Sequence, residues 1–334
     1  MSSPSEAGAV RLSAIVVAFG KEAVLEQCVA ALEHALARVD GETELIVVLN
    51  DVSTPTRERL HLLVPGVVPV EGSPGLGFAG GVAAALDVAR GEWIALVNDD
   101  CVLDPDALDE LLATGERHPN VGSVAANIRF AGRPDTVNSA GIEIDDLGVA
   151  RERRLGEPAL ALESEAVEVF GASAALALYR RAMVDSVGGL DVSFFAYLED
   201  ADLAWRARLA GWRCLFAPRA VALHHHSSTL GHRSKAKHLL VGRNRVRMLA
   251  KNASERQLRR RLIQIVAYDL LYVVWAAAID RSVAPLVGRV QGLRDWSAYR
   301  ESGRPQRHEL RLSRAPGLLD ALRRGRTYRS VPGS

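Results

Sequence analysis

Residues 194–212 read FFAYLEDADLAWRARLAGW, which is an aromatic segment, an acidic pair and an amphipathic run in that order. Leu203, Ala207 and Ala210 recur at helical spacing and Gly211 supplies a stop, so the spacing predicts a helix of about three turns starting at Glu199 and Asp200. Carboxylates at a helix N-terminus are stabilised by unpaired backbone N–H groups and the macrodipole, so a capping role is the plain reading of the pair. Two other features favour chemistry instead. Asn98-Asp99-Asp100 closes an apolar strand, and His224 to His226 follow another strand-like run.

Outward from that stretch, Leu12 to Ala18 (LSAIVVA) reads as a buried strand. Leu25, Cys28, Val29, Leu32 and Leu36 then mark one helical face, Asp40-Gly41 a turn, and Glu44 to Leu49 a second strand. Strand, helix and strand in this order imply a parallel sheet whose ligand site lies at the strands' C-terminal ends. Asp51, just past the second strand, can accept an imide N–H from a pyrimidine base, or cap the helix predicted over Pro55 to Leu63. The glycine-rich Ser73 to Gly81, opening into a helix over Val82 to Ala89, suits close backbone approach to a ligand and phosphate at the helix N-terminus, but does not fit GxGxxG. Trp93 to Val97 is the next buried strand. In an extended segment Asn98 and Asp100 face one way and Asp99 the other. Asp104 before Pro105 already caps the helix over Asp106 to Arg117, so the acids at 99 and 100 are not needed there. Val121 to Ile128 and Ala174 to Tyr179 read as strands and Arg181 to Val187 as a helix. Arg129 to Glu168, broken by glycines, reads as loops and short strands over a cleft, and no chemistry is assigned to it.

Taken together, Gly188-Gly189, Asp191, Phe194-Phe195, Glu199-Asp200, Gly211-Trp212, Pro218 and His224 resemble the inverting, nucleotide-sugar-dependent glycosyltransferases of family 2, in their rhamnosyltransferase-like and galactofuranosyltransferase-like branch. The resemblance runs from about Leu12 to Lys251 and implies the GT-A fold, a mostly parallel Rossmann-like sheet flanked by helices. It makes Asn98-Asp99-Asp100 an NxD variant of the metal-binding DxD motif, with Asp100 as direct ligand and His224 as a further ligand of Mn²⁺ or Mg²⁺. Oxygen and imidazole donors suit those ions. It implies Asp200 as general base, Glu199 as the second candidate, and nucleotide-sugar contacts from Asp51, Gly77, Gly80, Asn98, Asp99, Gly171, Ala172, Gly188, Gly189 and Trp212. Gly171 and Ala172 would leave room for the hexose, and Gly188-Gly189 would floor the site.

Composition bounds the rest. The 334 residues allow one large α/β unit with an appendage, here read as a leader over 1–10, a catalytic domain over 11–231 and a basic helical extension over 232–334. Cys28, Cys101 and Cys214 form no CxxC pair, and the N-terminus lacks a signal-peptide pattern, which fits a reducing, cytoplasmic location. A net charge of +1 conceals an asymmetry. From His232 onward 23 basic residues face 7 acidic ones, a net of +16. That implies an anionic partner, with a membrane surface favoured over nucleic acid because no aromatic platform accompanies the charge, or else docking of the two halves on each other. In the run LIQIVAYDLLYVVWAAAI, Asp269 leaves only Leu270 to Ile279 uncharged, too short to cross a bilayer. An amphipathic helix on anionic lipid, on the body or on a second subunit of a homo-oligomer is expected instead. A polyprenyl-diphosphate-linked or cell-envelope glycan acceptor fits such a peripheral enzyme. The rival readings are a nucleotidyltransferase, which would release pyrophosphate, and a non-catalytic nucleotide- or glycan-binding protein.

Overall fold

A computed structural model describes residues 9–19, 22–50, 52–64, 66–73, 75–225, 234–303, 310 and 312–316. Asp51, His226, most of the leader, the boundary at 231/232 and most of the arginine-rich tail lie outside the described residues.

The elements follow the apolar periodicities. In the first half β1 (Leu12–Phe19), α1 (Glu22–Leu36), β2 (Thr43–Asn50), α2 (Thr54–Leu63), β3 (Val68–Glu71), α3 (Gly77–Leu86), β4 (Trp93–Asn98), β5 (Cys101–Leu103) and α4 (Ala107–Glu116) alternate as expected. The difficult middle resolves into strands: β6 (Val121–Phe130), β7 (Arg133–Ser139), the hairpin β8 (Ile142–Ile144) and β9 (Ala150–Glu152), then β10 (Val167–Val169). After β11 (Leu176–Arg180) and α5 (Arg181–Val187) come α6 (Glu199–Leu209) and the long β12 (Arg213–His224). Four helices complete the chain: α7 (Lys235–Asn252), α8 (Glu255–Ile279), α9 (Ala284–Arg294) and α10 (Trp296–Ser302).

The central sheet runs β10-β12-β6-β11-β4-β1-β2-β3, with β5 on β12 and β7 on β6. It is mixed, whereas the sequence suggested mostly parallel pairing, because β11 lies antiparallel between β4 and β6. Strands β1, β2, β4, β6 and β12 nevertheless share one direction. The C-terminal ends at Phe19, Asn50, Asn98, Phe130 and His224 therefore lie along one edge, where ligands of open α/β sheets bind. One face of the sheet packs on α1 and α4, the other on α3, α5 and α6.

A third core joins α6, β8, α7 and α8 through Trp205, Ile142, Ile144, Met248, Leu249 and Ile265. The C-terminal helices thus share a core with the body. Some of the charge asymmetry is spent there: Lys251 bonds Asp191 at 2.7 Å and Asp202 at 3.2 Å, and Arg261 pairs with Asp146 at 2.5 Å. One expectation is corrected. The 25-residue α8 is long and apolar enough to cross a membrane. Asp269 does not interrupt its outer face, because it turns inward to Arg245 at 2.8 Å and Arg289 at 2.7 Å.

Candidate active site

At the sheet edge the chain turns after Asn98, so strict alternation ends there and both following acids are buried. Asp99 Oδ2 accepts the Phe19 N–H at 2.8 Å, tying the ends of β4 and β1. Burial raises the Asp99 pKa to about 6, with the Asp100 charge adding and the Phe19 N–H opposing. Asp100 Oδ1 stands 2.9 Å from His224 Nε2, and both side chains are buried. On the other side of the ring, His224 Nδ1 lies 2.9 Å from Asn138 Oδ1. With a proton on Nδ1 donated to Asn138, the Nε2 lone pair faces a carboxylate oxygen. Two acceptors so placed match neighbouring positions of an octahedral cation, which at about 2.1 Å per bond lie roughly 3 Å apart. Asp100 and His224 therefore fit Mn²⁺ or Mg²⁺, with Asn138 fixing the imidazole. Cys101 is also adjacent. Burial pushes its thiol well above the usual range, and a hard cation prefers oxygen, so it is a poor ligand.

The acids form the second half of the site. Asp200 Oδ2 accepts the Ala174 N–H at 3.2 Å and Oδ1 the Ala201 N–H at 2.7 Å. Burial raises its pKa while these N–H groups oppose the rise. Glu199 is buried, and its Oε2 has no hydrogen-bond partner among the described residues. Burial, then the Asp200 charge, push its pKa to about 8, so Glu199 holds its proton more tightly than an ordinary glutamate. A third carboxylate, Glu152 at the end of β9, accepts hydrogen bonds from Ser139 Oγ and, at 3.1 Å, from Ser173 Oγ. Burial and the Asp200 charge raise its pKa to about 7. Lys237 on α7, its ammonium 5.2 Å from the Tyr197 ring, is the nearby positive charge; burial lowers its pKa and Glu152 opposes that.

Two short seams join the halves. Ser173 reaches Glu152 through its hydroxyl, Ala174 gives its N–H to Asp200, and Ala175 O accepts the Asn98 N–H at 3.0 Å. In β7, Asn138 holds His224 while its neighbour Ser139 holds Glu152. Asn138, Ser139, Glu152, Ser173 and Lys237 were not among the sequence candidates. The signal available was the polar pair Asn138-Ser139 at the end of a strand, hidden because β7 to β9 are short and glycine-punctuated.

Other candidates are placed differently from expectation. Helix α3 starts at Gly77, five residues early, and its Ala79 N–H is taken by Phe195 O at 3.1 Å, so this N-terminus is docked on the aromatic segment. Gly77 has φ +62°, and a Cβ there would lie 2.4 Å from Phe195 O; Gly80 packs on Leu76. The space beside Gly171 is filled by Ala204 of α6, 2.3 Å from where a Cβ would stand, and Ala172 is buried, so neither opens a hexose pocket. Gly188-Gly189 end α5, and Val187 O and Gly189 O accept from Arg206 at 2.6 and 2.7 Å, so the turn anchors α6. Trp212 is not brought to the site. Its indole donates to Ser186 Oγ at 3.0 Å at the start of β12, and the 12-residue strand, at about 3.3 Å per residue, separates it from His224.

Comparison with known proteins adds the following. A family model described as "Glycosyltransferase like family 2" matches residues 10–238. An N-acetylglucosaminyl-diphospho-decaprenol L-rhamnosyltransferase of Mycobacterium tuberculosis is 30% identical over 161 residues, covering 44% of this chain and 51% of that protein. The chain thus spans about half or less of the length of the curated relatives it matches. The mannosyltransferase PcManGT from Pyrobaculum calidifontis, solved with GDP-Man and Mn²⁺, superposes with a TM-score of 0.53 at 15% identity, over 90% of this chain and 86% of that one. GalNAc-T7 with UDP, GalNAc and Mn²⁺ gives 0.55 at 14% identity, over 74% and 48%. At those identities the likeness is one of fold, and the fold is GT-A.

Proposed function

Because the chain belongs to glycosyltransferase-like family 2, we propose that this transferase moves a sugar from a nucleoside diphosphate to an acceptor hydroxyl with inversion, and that Asp200 takes the acceptor's proton. The observation that carries the reading is the pair of seams. Asn138-Ser139 and Ser173 to Ala175 hold a cation-binding pair and a carboxylate cluster side by side at the sheet edge.

In the step proposed, the acceptor oxygen forms a bond to the anomeric carbon as the bond from that carbon to the diphosphate breaks. The acceptor proton passes to the Asp200 carboxylate. Burial makes Asp200 a stronger base than an ordinary aspartate, and the Ala174 and Ala201 N–H groups hold its two oxygens in place. Glu199, protonated, leaves that charge on Asp200. Glu152, steadied by Ser139 and Ser173, lies next to Asp200 as an acceptor-orienting group. Mn²⁺ or Mg²⁺ held by Asp100 and His224 would neutralise charge on the leaving diphosphate.

The proposed donor is dTDP-rhamnose, with UDP-galactofuranose as the second choice, and the proposed acceptor a polyprenyl-diphosphate-linked or cell-envelope glycan at the cytoplasmic membrane face. The rhamnosyltransferase relative supports this choice. The test is turnover by the purified chain of dTDP-rhamnose, UDP-galactofuranose and GDP-mannose on a short-chain polyprenyl-diphosphate N-acetylglucosamine. Release of dTDP with a disaccharide-lipid product supports the reading. Transfer from another donor alone replaces the sugar, and no transfer by folded protein from any donor overturns the proposal.

A further inference from the structure

Among the described residues, large apolar side chains exposed to solvent are not scattered. Of eighteen, thirteen fall between Leu262 and Leu293 on α8, α9 and their connection, led by Ile263 at 82% exposure. Beyond Arg261 the outward positions of α8 are apolar except Gln264. A contiguous apolar face of this extent marks an interaction surface.

The inner face shows how α8 can be used. Ile265 and Ala276 are buried, Asp269 bonds Arg245 and Arg289, Gln257 donates to Asp146 O at 3.2 Å, and His238 lies 3.2 Å from Asp280. The helix is fastened to the body from its first turn to its cap. Crossing a bilayer would break those buried ion pairs and turn the Asp269 carboxylate into hydrocarbon, so the helix has to stay on the body with its outer face presented.

Charge selects the occupant. Arg256, Arg259 and Arg260 are exposed at the start of α8, Arg281 just after its end and Arg294 at the end of α9. The one exposed acid along these helices, Glu255, lies 3.4 Å from Arg259. A second copy would bring like-charged rims together, whereas an anionic bilayer offers hydrocarbon for the face and phosphate for the rim.

We propose that the α8–α9 face inserts in the plane of an anionic membrane, so that attachment rests on buried apolar side chains with the arginines as a supplementary charge contact. This goes further than electrostatic adsorption of a basic tail, and it does not depend on which sugar is transferred.

The test is flotation of the full chain with phosphatidylcholine vesicles containing phosphatidylglycerol, with no donor present. Wild type is expected to float and to stay bound when salt is raised, and Trp275 fluorescence is expected to be quenched by lipids brominated in the acyl chain. The double substitution Ile263→Glu with Val274→Glu is expected to lower partitioning by at least about tenfold. Arg259→Gln with Arg260→Gln should weaken binding at low salt and leave the salt-resistant fraction. Both replaced pairs are exposed, and unchanged unfolding temperatures check the fold. Absence of flotation, complete release by salt, or unchanged binding of the glutamate variant overturns the proposal. So does a solution dimer that the glutamate variant dissociates, which assigns the face to a second copy.

Discussion

Asn244 Nδ2, on α7, lies 2.9 Å from Phe194 O, and the same amide reaches Ala196 O at 2.9 Å and Tyr197 O at 2.8 Å. The segment it holds contains Phe195, Tyr197 and Leu198 at φ between 67° and 69°, a left-handed conformation uncommon for such side chains. A helix of the basic extension therefore holds the strained entry to the acid-bearing helix. Asn244→Ala takes this donor from Ala196 O and Tyr197 O, while Phe194 O keeps Arg243 Nη2 at 3.0 Å and the Ala196 N–H at 2.8 Å, and it is expected to cost about 1–3 kcal/mol, read as a lowered midpoint in urea. Turnover should fall with it, while Mn²⁺-dependent nucleotide binding, on the other side of the seams, stays near wild type.

The two members of the acidic pair should respond oppositely to isosteric amides. Asp200→Asn removes the charged oxygen proposed to take the proton, and a loss of about 10²- to 10⁴-fold in kcat is expected with nucleotide affinity retained. Glu199, its pKa raised to about 8 by burial, is proposed to act in its neutral form, so Glu199→Gln should keep kcat within a few fold. Steady-state kinetics on both variants decides the assignment, and the reverse ranking would make Glu199 the base.

The same difference predicts a stability profile. The Glu199 pKa is raised from 4.5 to about 8 in the folded state, so between those values the native protein holds a proton that the unfolded chain has lost. Stability therefore falls as pH rises through that window, by up to about 1.4 kcal/mol per pH unit from this group, and the fall stops above pH 8. Glu199→Gln lacks the titration and should show a flatter dependence in urea unfolding between pH 5 and pH 8.

For the cation pair, thermal stabilisation by dTDP or UDP with Mn²⁺ should vanish in Asp100→Ala and in His224→Ala. Asn138→Ala keeps both ligands and frees the imidazole. Its expected effect is Mn²⁺ binding weakened by about 10- to 100-fold, measured by isothermal titration.

Gly171→Ala tests the close approach of α6 to the seam at Ser173 to Ala175. A Cβ there stands 2.3 Å from the Ala204 Cβ, so α6 must shift, at a cost of about 1–3 kcal/mol and with a loss of turnover. Ala204→Gly in the same chain removes the obstructing atom and should restore much of both.

Much of this architecture is legible in the sequence because it repeats in simple periods. Strands β1, β2 and β4 are built on apolar runs of five or more residues, and α6 begins at Glu199 where the acidic pair precedes helical spacing. The family resemblance is likewise matched by the family model, which ends at residue 238. What stayed hidden depends on tertiary contacts. Glu152 lies in a strand of three residues and Asn138 in one whose burial does not alternate, and their importance comes from partners 21 and 86 residues away. The glycines at 77 and 171 read as ligand-facing because a sequence shows that Cβ is missing, not what fills its place, here Phe195 and Ala204. Asp269 read as a break in an apolar helix because its partners Arg245 and Arg289 are known only from the fold.

Asn138 and Ser139 are joined by a single peptide bond, so the residue that steadies the cation-binding imidazole and the one that steadies Glu152 have Cα atoms about 3.8 Å apart by covalent geometry. Their spacing does not depend on the tightness of the surrounding core. Breathing of the packed layers moves these two anchors, and with them His224 and Glu152, as one. Along a urea titration, transfer should therefore persist until β7 itself is lost, with activity and global unfolding sharing one midpoint.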